Sequence, residues 1–516
     1  MSNLYNGGVI ILDFGSQYTQ LIARRIREQN VYSKIIPPDL SLEKILSYKP
    51  KAIIFSGGPS SVYSKNAPSF DSRILNHEIP ILGICYGLHL LVQRSGGNVE
   101  ASEEGEYGFA EVNVKISDTI FKDTPSPLKV WMSHGDRVTK IPLNWNVLAY
   151  SSNNVIAALS NSNNTRFATQ FHPEVYHTNM GNIILRNFLY NISGCIPSWN
   201  SKNLLEEKIN EIKDQVKNNN VVVGVSGGVD SSVVAAIMHK AVGNQSKAIM
   251  IDHGLMRKNE AKECVGELKK GLGININLYD EKRYFLKKLK GITDPEEKRK
   301  IIGNQFIYSF QRISKSFGEV PFLAQGTLYP DVIESGISHG KEAALIKSHH
   351  NVGGLPDDMN FNLVEPLRDL FKDEVRDLAK ELGIPDLLIN RHPFPGPGLG
   401  VRILGEITNE RIKTLQEADK IFLDVLNEDG LYNKIWQAFA VLIPIKTVGV
   451  MGDQRTYDNL LGIRAVSSTD GMTADWYRIP EDSLNKISNR IINHVKGINR
   501  IVYDITSKPP GTIEWE

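Results

Sequence analysis

A turn of small residues, Ser226-Gly227-Gly228-Val229-Asp230-Ser231-Ser232, stands between two apolar stretches of the chain. The β-branched stretch before it, residues 221–225, predicts a buried strand, and the stretch 233–238 predicts a helix. A strand that enters a helix through small residues leaves free backbone N–H groups at the helix N-terminus, and such groups bind anions. The turn lacks a Gly-Lys-Ser/Thr ending and is not a Walker P-loop. It predicts a phosphate site of another type; the alternative is a glycine-rich turn that binds nothing.

Cys85 occupies the centre of Gly83-Ile84-Cys85-Tyr86-Gly87, where a predicted strand meets a predicted helix. Glycines two residues before and after a nucleophile permit the tight turn that lifts its side chain out of a sheet. The N-terminus of the following helix favours the thiolate, which is the reactive form of cysteine. A lone buried cysteine is usually inert, but the flanking glycines favour a nucleophile here.

An imidazole and a carboxylate stand two residues apart in Gln170-Phe171-His172-Pro173-Glu174. In an extended segment, residues at this spacing project to the same side. His172 can therefore act as a base that Glu174 orients. The pair alone is a weak pattern, but together with Cys85 it forms a candidate catalytic triad.

The elements that must position these residues alternate between strand and helix over the first part of the chain. Strands are predicted at 8–12, 31–36, 52–55 and 79–84, and helices at 17–28, 42–46 and 87–94. This order predicts a mostly parallel sheet covered on both faces. Short alternating strands from 109 to 168 predict an antiparallel edge, followed by a helix at 182–190 and a linker at 194–203.

A second α/β region follows the linker, with a helix at 204–216 and further strands at 248–251 and 322–324. The Pro/Gly-rich segment Arg391-His392-Pro393-Phe394-Pro395-Gly396-Pro397-Gly398-Leu399-Gly400 cannot form a regular helix or central strand. We take it as the start of a third region, with a helix at 409–426 and strands at 446–451 and 501–505. The predicted domains are therefore 1–197, 198–390 and 391–516.

Composition narrows the class of protein. A chain of 516 residues is too long for one core. The formal net charge of +1 argues against a large nucleic-acid interface, and no apolar run is long enough to span a bilayer. Three widely spaced cysteines form neither a disulfide framework nor a metal site, and no signal peptide is visible. We expect a cytoplasmic protein with neither nucleic-acid nor membrane partners.

Residues 8–190 resemble the class I glutamine amidotransferases in the Cys85 elbow and the Gln170–Glu174 segment. The resemblance implies Cys85 as nucleophile, with His172 and Glu174 as its catalytic partners. Ser56-Gly57-Gly58-Pro59-Ser60 resembles the oxyanion loop of the family, with donors expected from the backbone N–H groups of Gly58 and Tyr86.

Two histidines are candidates for glutamine binding. Many members of the family carry Gln four residues after the cysteine, where this chain has His89. An imidazole can still donate one hydrogen bond to glutamine, and the alternative is that His89 only packs on the helix. His134 lies in Ser133-His134-Gly135-Asp136, a loop that the family uses near the glutamine amine. A structural turn is the alternative there.

The turn 226–232 resembles the SGGxDS loop of N-type ATP pyrophosphatases, which cleave ATP between the α and β phosphates. The resemblance implies ATP binding by Ser226, Gly227, Gly228, Val229, Asp230, Ser231 and Ser232. Ligands of open α/β sheets gather at the carboxyl ends of the strands, so Asp252, Leu255 and Gly326 are expected to contribute. Asp230 could reach a Mg²⁺ ion that accompanies ATP, and no other cofactor is expected. Lys372 is either a cation that supports adenylation or part of a solvated helix face.

The order of the two motifs and the tail 508–516 resemble the family of glutamine-hydrolysing GMP synthases. Further matching stretches are 11–18, 347–356 and 391–400. The resemblance implies α/β glutaminase and ATP-pyrophosphatase domains, the latter like adenine nucleotide α-hydrolases, and a C-terminal α+β dimerisation domain that makes a homodimer. It implies the substrates glutamine, ATP and xanthosine 5′-monophosphate (XMP), with XMP bound by Arg299, Gly396, Pro397, Gly398, Lys508 and Glu514. Arg299 lies in a charge run, where a merely solvated side chain is the alternative.

Other functions are open to a chain with these motifs. Another ATP-pyrophosphatase amidotransferase, or an enzyme that adenylates a base for modification, would share the loop 226–232. Base-modifying thiolases usually need a cysteine cluster, which this chain lacks. A non-catalytic protein with a relict glutaminase would explain His89 but not the intact Cys85, His172 and Glu174. We also expect a lid at 355–371, because a reactive adenylate must be kept from water.

Overall fold

The computed structural model describes residues 4–5, 7–332, 361–451, 453–468 and 473–516, with the side chains of 103, 104 and 451 excepted. The matching stretch 347–356 and residues 355–360 of the expected lid lie outside the described residues. The chain divides into two compact units, Met1–Glu207 and Lys208–Glu516. Within the described ranges, no helix is long and apolar enough to cross a membrane.

A nine-stranded sheet with the order β2-β1-β3-β4-β9-β8-β7-β5-β6 forms the centre of the first unit. The five strands from β2 to β9 pair in parallel, as predicted, and β8, β7, β5 and β6 extend the sheet by antiparallel pairs. The bounds are β1 Val9–Leu12, β2 Ser33–Ile36, β3 Ala52–Phe55, β4 Ile81–Ile84, β5 Asn98–Val114, β6 Leu128–Lys140, β7 Trp145–Ser151, β8 Ile156–Asn161 and β9 Arg166–Thr169.

The helices of this unit begin and end near their predicted positions. They are α1 Thr19–Glu28, α2 Leu42–Ser47, α3 Tyr86–Arg94 and α4 Gly181–Arg186, which continues as a π-helix over Asn187–Ile192. A fifth helix, α5 Ser201–Val216, crosses the boundary between the two units. The predicted linker 194–203 therefore already contains the start of α5.

Strand β5 begins at Asn98, well before the predicted start of the antiparallel region at 109. Its first half is rich in Glu and Gly, residues that are depleted in strands, so local preference does not predict it. Pairing with β6 enforces the strand, and a register shift between Ala101 and Glu106 accommodates the irregular sequence.

The second unit contains a five-stranded parallel sheet with the order β12-β11-β10-β13-β14. Its strands are β10 Val221–Val225, β11 Ser246–Asp252, β12 Ile276–Asp280, β13 Phe322–Ala324 and β14 Asn362–Val364. The described helices around it are α6 Val229–Val242, α7 Glu260–Leu272, α8 Lys282–Leu289, α9 Pro295–Ser314, α10 Lys372–Glu381 and α11 Asp386–Ile389.

A second sheet lies in the C-terminal part, with β15 Gln437–Met451, β16 Gln454–Ser467, β17 Asp475–Trp476 and β18 Ile498–Tyr503. It packs with α12 Asn409–Glu428 and α13 Glu481–His494. The predicted strands at 446–451 and 501–505 are thus parts of longer or shifted elements. One hydrophobic core contains residues from both sides of the predicted domain boundary at residue 391. Val222 and Phe285 come before the boundary, and Phe422, Leu442 and Ile487 come after it. The division into three domains stays a prediction.

Candidate functional site

Cys85 sits between the end of β4 and the start of α3, with φ 52° and ψ −104°. This positive φ is rare for a residue with a side chain and marks a strained turn. A Cβ atom added to Gly83 would lie 2.5 Å from the carbonyl oxygen of Gly87, and one added to Gly87 would lie 2.5 Å from that of Phe55. Both flanking glycines are therefore required by close backbone approach, as the elbow pattern predicts.

The side chains of Cys85, His172 and Glu174 lie side by side. Nδ1 of His172 lies 2.7 Å from Oε1 of Glu174, and Cys85 is close enough to the imidazole to interact with it electrostatically. The segment is a turn rather than an extended strand, but it still places both side chains together. The hydroxyl of Thr178 donates to the carbonyl of His172 at 2.6 Å and fixes the turn. The structure thus brings the predicted triad together.

Charge within the triad favours a protonated imidazole. Burial lowers the pKa of His172, but the negative charge of Glu174, the hydrogen bond to Glu174 and the interaction with Cys85 outweigh burial, so that the pKa lies well above its ordinary value. Glu174 is fully buried, and its Oε2 has no hydrogen-bond partner in the described part of the chain. A protonated imidazole next to Cys85 can give a proton to a group that leaves during catalysis.

The predicted oxyanion loop lies beside this triad. Ser56 is completely buried, and its hydroxyl accepts from the Phe14 N–H at 2.9 Å and donates to the Gly57 carbonyl at 2.8 Å. A Cβ atom on Gly57 would lie 3.2 Å from Cε1 of His172. Tyr86 is the first residue of α3, so its N–H has no acceptor within the helix. This arrangement is compatible with the predicted donors, Gly58 and Tyr86, whose role stays a prediction.

His89 contacts a protein side chain at the place where the sequence predicts glutamine binding. Its Nε2 lies 2.8 Å from Oε1 of Gln170, and the amide nitrogen of Gln170 lies 3.9 Å from Sγ of Cys85. Burial lowers the pKa of His89 to about 4, which keeps the ring neutral. His89 therefore holds the side chain of Gln170, a geometry that neither of the two sequence alternatives included.

His134 also has partners on both ring nitrogens. Nε2 lies 3.1 Å from Oε2 of Glu106, and Nδ1 lies 2.9 Å from the carbonyl oxygen of Asp136. The neighbouring Ser133 carbonyl accepts a hydrogen bond from Cys85 Sγ at 3.6 Å. Residues 133–136 lie within strand β6, so the predicted loop and the alternative of a turn are both wrong. The strand passes close to Cys85, and both ring nitrogens of His134 already have protein partners. Glutamine binding by this residue stays a prediction.

The small-residue turn lies where β10 meets α6, as predicted, but α6 begins at Val229 rather than at 233. Val229, Asp230, Ser231 and Ser232 therefore occupy the first helical turn instead of a loop. The hydroxyls of Ser231 and Ser232 donate to the Gly228 carbonyl at 3.0 and 2.9 Å. These bonds begin the helix early and leave its first N–H groups at the carboxyl end of β10.

Three further predicted ATP residues lie at the ends of neighbouring strands or shortly after them: Asp252, Leu255 and Gly326. Because β10 lies between β11 and β13, the residues after all three strands share one sheet edge. A Cβ atom on Gly326 would lie 3.5 Å from Cβ of Asp230. The carboxylate of Asp252 pairs with Lys282 at 2.9 Å. Leu255 donates its N–H to His253 and accepts from the Leu399 N–H, so its backbone already has protein partners.

Lys372 and Asp230 meet beside the turn. The ammonium group of Lys372, at the start of α10, contacts Oδ2 of Asp230. The other carboxylate oxygen, Oδ1, is buried without a hydrogen-bond partner among the described residues. No group of three or more metal-ligating side chains exists in the described ranges. A single free carboxylate oxygen fits a Mg²⁺ ion held mainly by phosphates.

The predicted XMP residues lie in the C-terminal part of the second unit. Arg299 contacts the backbone carbonyl of Glu516, and the carboxylate of Glu514 accepts two hydrogen bonds from Arg402 at 3.0 and 2.8 Å. Lys508 pairs with Ala474 through its backbone. Gly396 is exposed and Pro397 is partly exposed.

Gly398 contacts a predicted ATP residue. It has φ 61°, and a Cβ atom there would lie 2.2 Å from the Leu255 carbonyl oxygen. The Pro/Gly-rich segment therefore packs against the loop after β11, which connects the regions predicted to bind ATP and XMP.

Several residues that contact these sites were not predicted from the sequence. Gln170 stands two residues before His172, and this spacing could have indicated a shared face. No local sequence pattern predicts a role for Glu106, Arg391 or Arg402, because each contacts a residue far away in the chain.

Comparisons with known proteins cover the whole chain. The family model described as glutamine amidotransferase class-I matches residues 10–192, that described as NAD synthase matches 200–304, and that described as GMP synthase C terminal domain matches 402–515. A solved glutamine amidotransferase from Thermotoga maritima covers 41% of this chain and 84% of that chain, at 20% identity and a TM-score of 0.28, which is too low to support a conclusion.

Curated relatives match over nearly full length. A glutamine-hydrolyzing GMP synthase from Thermosipho africanus is 54% identical over 98% of this chain and 99% of its own. Another with the same name, from Bacillus pumilus, is 52% identical over 100% of both chains. These matches confirm the predicted fold class and the resemblance. The chain belongs to the family of glutamine-hydrolysing GMP synthases.

Proposed function

We propose that this protein converts XMP to GMP, using ATP to activate XMP and glutamine as the source of ammonia. The observation that carries the proposal is Cys85 on a strained elbow, beside the buried hydrogen-bonded pair of His172 and Glu174. It stands in a chain that also carries a phosphate-type turn between β10 and α6. A nitrogen donor and an adenylating site in one chain fit this reaction, and the full-length relatives bear its name.

The glutamine step begins with the Cys85 thiolate. Its sulfur attacks the side-chain amide carbon of glutamine, and the backbone N–H groups of Gly58 and Tyr86 stabilise the oxyanion, each by about 3 kcal/mol. His172 gives a proton to the departing ammonia and then takes one from the water that hydrolyses the thioester. Glutamate leaves, and Cys85 is regenerated.

The second step uses ATP at the residues 226–232. The O2 oxygen of XMP attacks the α-phosphorus, and pyrophosphate leaves. The N–H groups at the start of α6 bind the phosphates. Lys372 adds positive charge, and a Mg²⁺ ion reached by Asp230 would neutralise the phosphates when bound. Ammonia then attacks C2 of the adenylated base and AMP leaves, because AMP is a far better leaving group than a urea-like oxygen.

XMP binding is assigned to Arg299, Gly396, Pro397, Gly398, Lys508 and Glu514 by the family resemblance. The packing of Gly398 on Leu255 supports an acceptor site next to the ATP site. The protein is further proposed to act as a homodimer through its C-terminal part. Support comes from the exposed apolar side chains of Ile445, Val448, Val450 and Tyr457.

The test is a product analysis of the full chain with XMP, ATP and Mg²⁺, supplied with either glutamine or ammonium. GMP, AMP and pyrophosphate should appear with both nitrogen sources. The Cys85→Ala variant should lose product formation with glutamine and keep it with ammonium. Formation of ADP, or XMP left unchanged by the wild type, would contradict the proposal. Loss of both activities in Cys85→Ala would refute the assignment of two separate chemical sites.

A further inference from the structure

Arg391 joins the Pro/Gly-rich segment to the phosphate turn. Its Nη1 donates a hydrogen bond of 2.9 Å to the carbonyl oxygen of Gly227, which lies 164 residues earlier in the chain. Its Nη2 lies 3.1 Å from Oε1 of Glu260, and its side chain is only 16% exposed. The guanidinium group thus bridges the turn and the first residue of α7.

Glu260 gives this bridge a fixed anchor. The residue is 2% exposed, and its Oε2 accepts a 2.7 Å hydrogen bond from the Arg257 N–H. One carboxylate oxygen is therefore held by the backbone, and the other holds Arg391. A guanidinium presents several donors in a rigid fork and can serve two acceptors at once, whereas an ammonium has no such planar fork.

Gly227 is the residue whose conformation needs such a restraint. Its φ of +84° lies in the region that favours glycine, and glycine also adopts negative φ at little cost. The peptide between Gly227 and Gly228 can therefore take more than one orientation in the absence of a partner. A trans peptide directs its C=O and N–H in opposite directions. Holding the Gly227 carbonyl on the Arg391 side directs the Gly228 N–H to the opposite side.

We propose that Arg391 is a positioning residue for ATP, which fixes the Gly227–Gly228 peptide so that the Gly228 N–H points at the pyrophosphate portion. The inference rests on the proposed function, because it assigns the residues 226–232 to ATP. Arg391 itself does not touch the reacting atoms. The hydrogen bond of Arg391 holds the turn in its binding conformation before ATP arrives, so the turn does not have to reorganise when ATP binds. This fixed conformation makes the site selective for a phosphate chain.

The test compares Arg391→Met, which keeps chain length without charge, with Arg391→Lys, which keeps charge without the fork. Arg490→Met is the matched control, because Arg490 lies on α13 and pairs there with Glu428 at the end of α12. Steady-state KM values for ATP and XMP are measured with ammonium as nitrogen source. Inhibition by inorganic pyrophosphate, competing with ATP, is measured alongside. Thermal unfolding reports whether each variant is folded.

Arg391→Met should raise the KM for ATP and the pyrophosphate inhibition constant by the same factor, about 10- to 100-fold, as expected for loss of a charge-assisted hydrogen bond. The KM for XMP should stay within about threefold, since XMP does not use the peptide. Arg391→Lys should be intermediate, and Arg490→Met should match the wild type.

Unchanged ATP and pyrophosphate constants in a folded Arg391→Met variant would overturn the proposal. Equal losses for ATP and XMP would also overturn it, because they indicate a merely structural role. If Arg391→Met does not fold, the same comparison of the ATP, pyrophosphate and XMP constants is made between Arg391→Lys and the wild type, and it decides for or against the proposal. A wild-type protein that forms no AMP and pyrophosphate refutes the proposed function, whereas an active wild type with an unaffected variant refutes only this inference.

Discussion

His89 and Gln170 form a buried pair next to Cys85, with Nε2 of His89 2.8 Å from Oε1 of Gln170. With Oε1 occupied by the imidazole, the amide nitrogen of Gln170 faces Sγ of Cys85 at 3.9 Å. A neutral ring donating through Nε2 satisfies this arrangement, and the low pKa of His89 keeps the ring neutral. Many amidotransferases carry Gln at the position of His89. In this chain the histidine at that position holds the side-chain amide of Gln170 in place.

This pair predicts that His89→Ala lowers the rate with glutamine and leaves the rate with ammonium unchanged. The variant leaves Oε1 of Gln170 buried without a partner, which costs about 1–3 kcal/mol and lets the amide turn. We expect kcat with glutamine to fall by roughly 10-fold or more. His89→Gln, which can still donate to Gln170, should retain more activity than His89→Ala. Equal glutamine kinetics in wild type and His89→Ala would contradict this role.

The close approach at the elbow predicts a large effect of Gly83→Ala. The new Cβ would lie 2.5 Å from the Gly87 carbonyl oxygen and 2.8 Å from the Leu88 nitrogen, both of them backbone atoms. We expect a loss of about 1–3 kcal/mol in unfolding free energy and a displaced Cys85, measured by denaturant unfolding and glutamine turnover. Gly266→Ala is the control, since a Cβ there meets open space within α7 and should be neutral or stabilising. Similar behaviour of the two variants would argue against steric crowding at the elbow.

Buried neutral histidines predict a loss of stability at acidic pH. Burial lowers the pKa of His89, His253 and His392 to about 4 in each case. In the unfolded chain the three imidazole rings bind protons near pH 6.5, whereas in the folded state they do so only near pH 4. Protonation therefore favours the unfolded chain, and the folded state loses stability as pH falls from 6.5 towards 4. The loss is up to about 3 kcal/mol for each group. Urea midpoints at constant protein concentration measure it.

His253→Asn tests the contribution of one of these groups. The Nδ1 of His253 accepts the Leu255 N–H at 3.1 Å, and an Asn side chain can accept from the same position in an Asx turn. Because Asn does not titrate, the midpoint should fall less steeply with pH in the variant than in the wild type. An identical slope would mean that His253 does not bind a proton on unfolding in this range.

Exposed apolar residues on β15 and β16 predict that Val450→Lys weakens self-association. Val448 is paired with Tyr457 across the strands, and Val448, Val450 and Tyr457 are 51%, 73% and 57% exposed. Residues two apart share one face of a strand, so these side chains form one apolar surface. Sedimentation equilibrium should show a dimer for the wild type and dissociation for Val450→Lys. Leu143→Lys, at a residue 88% exposed in the first unit, should remain dimeric. A monomeric wild type, or a fully dimeric Val450→Lys, would contradict this interface.

Local patterns predicted much of the fold correctly. The strands Ala52–Phe55 and Phe322–Ala324 have the bounds that their apolar runs indicate, because burial of both faces leaves a continuous hydrophobic sequence. The early start of β5 was missed, since its pairing with β6 overrides an unfavourable sequence. The early start of α6 was also missed, because the serine hydroxyls that begin the helix bond backward to Gly228.

The sequence by itself determined the local backbone around Cys85 and along 226–232, because the residue types and glycine spacings there constrain the chain within a few residues. It also placed His172 beside Glu174, which are neighbours in the chain. Only the tertiary structure decided what supports these groups. Gln170 meets His89 across 81 residues, Glu514 meets Arg402 across 112, and Gly227 meets Arg391 across 164. Such contacts depend on how sheets and loops are brought together, and no local pattern encodes that.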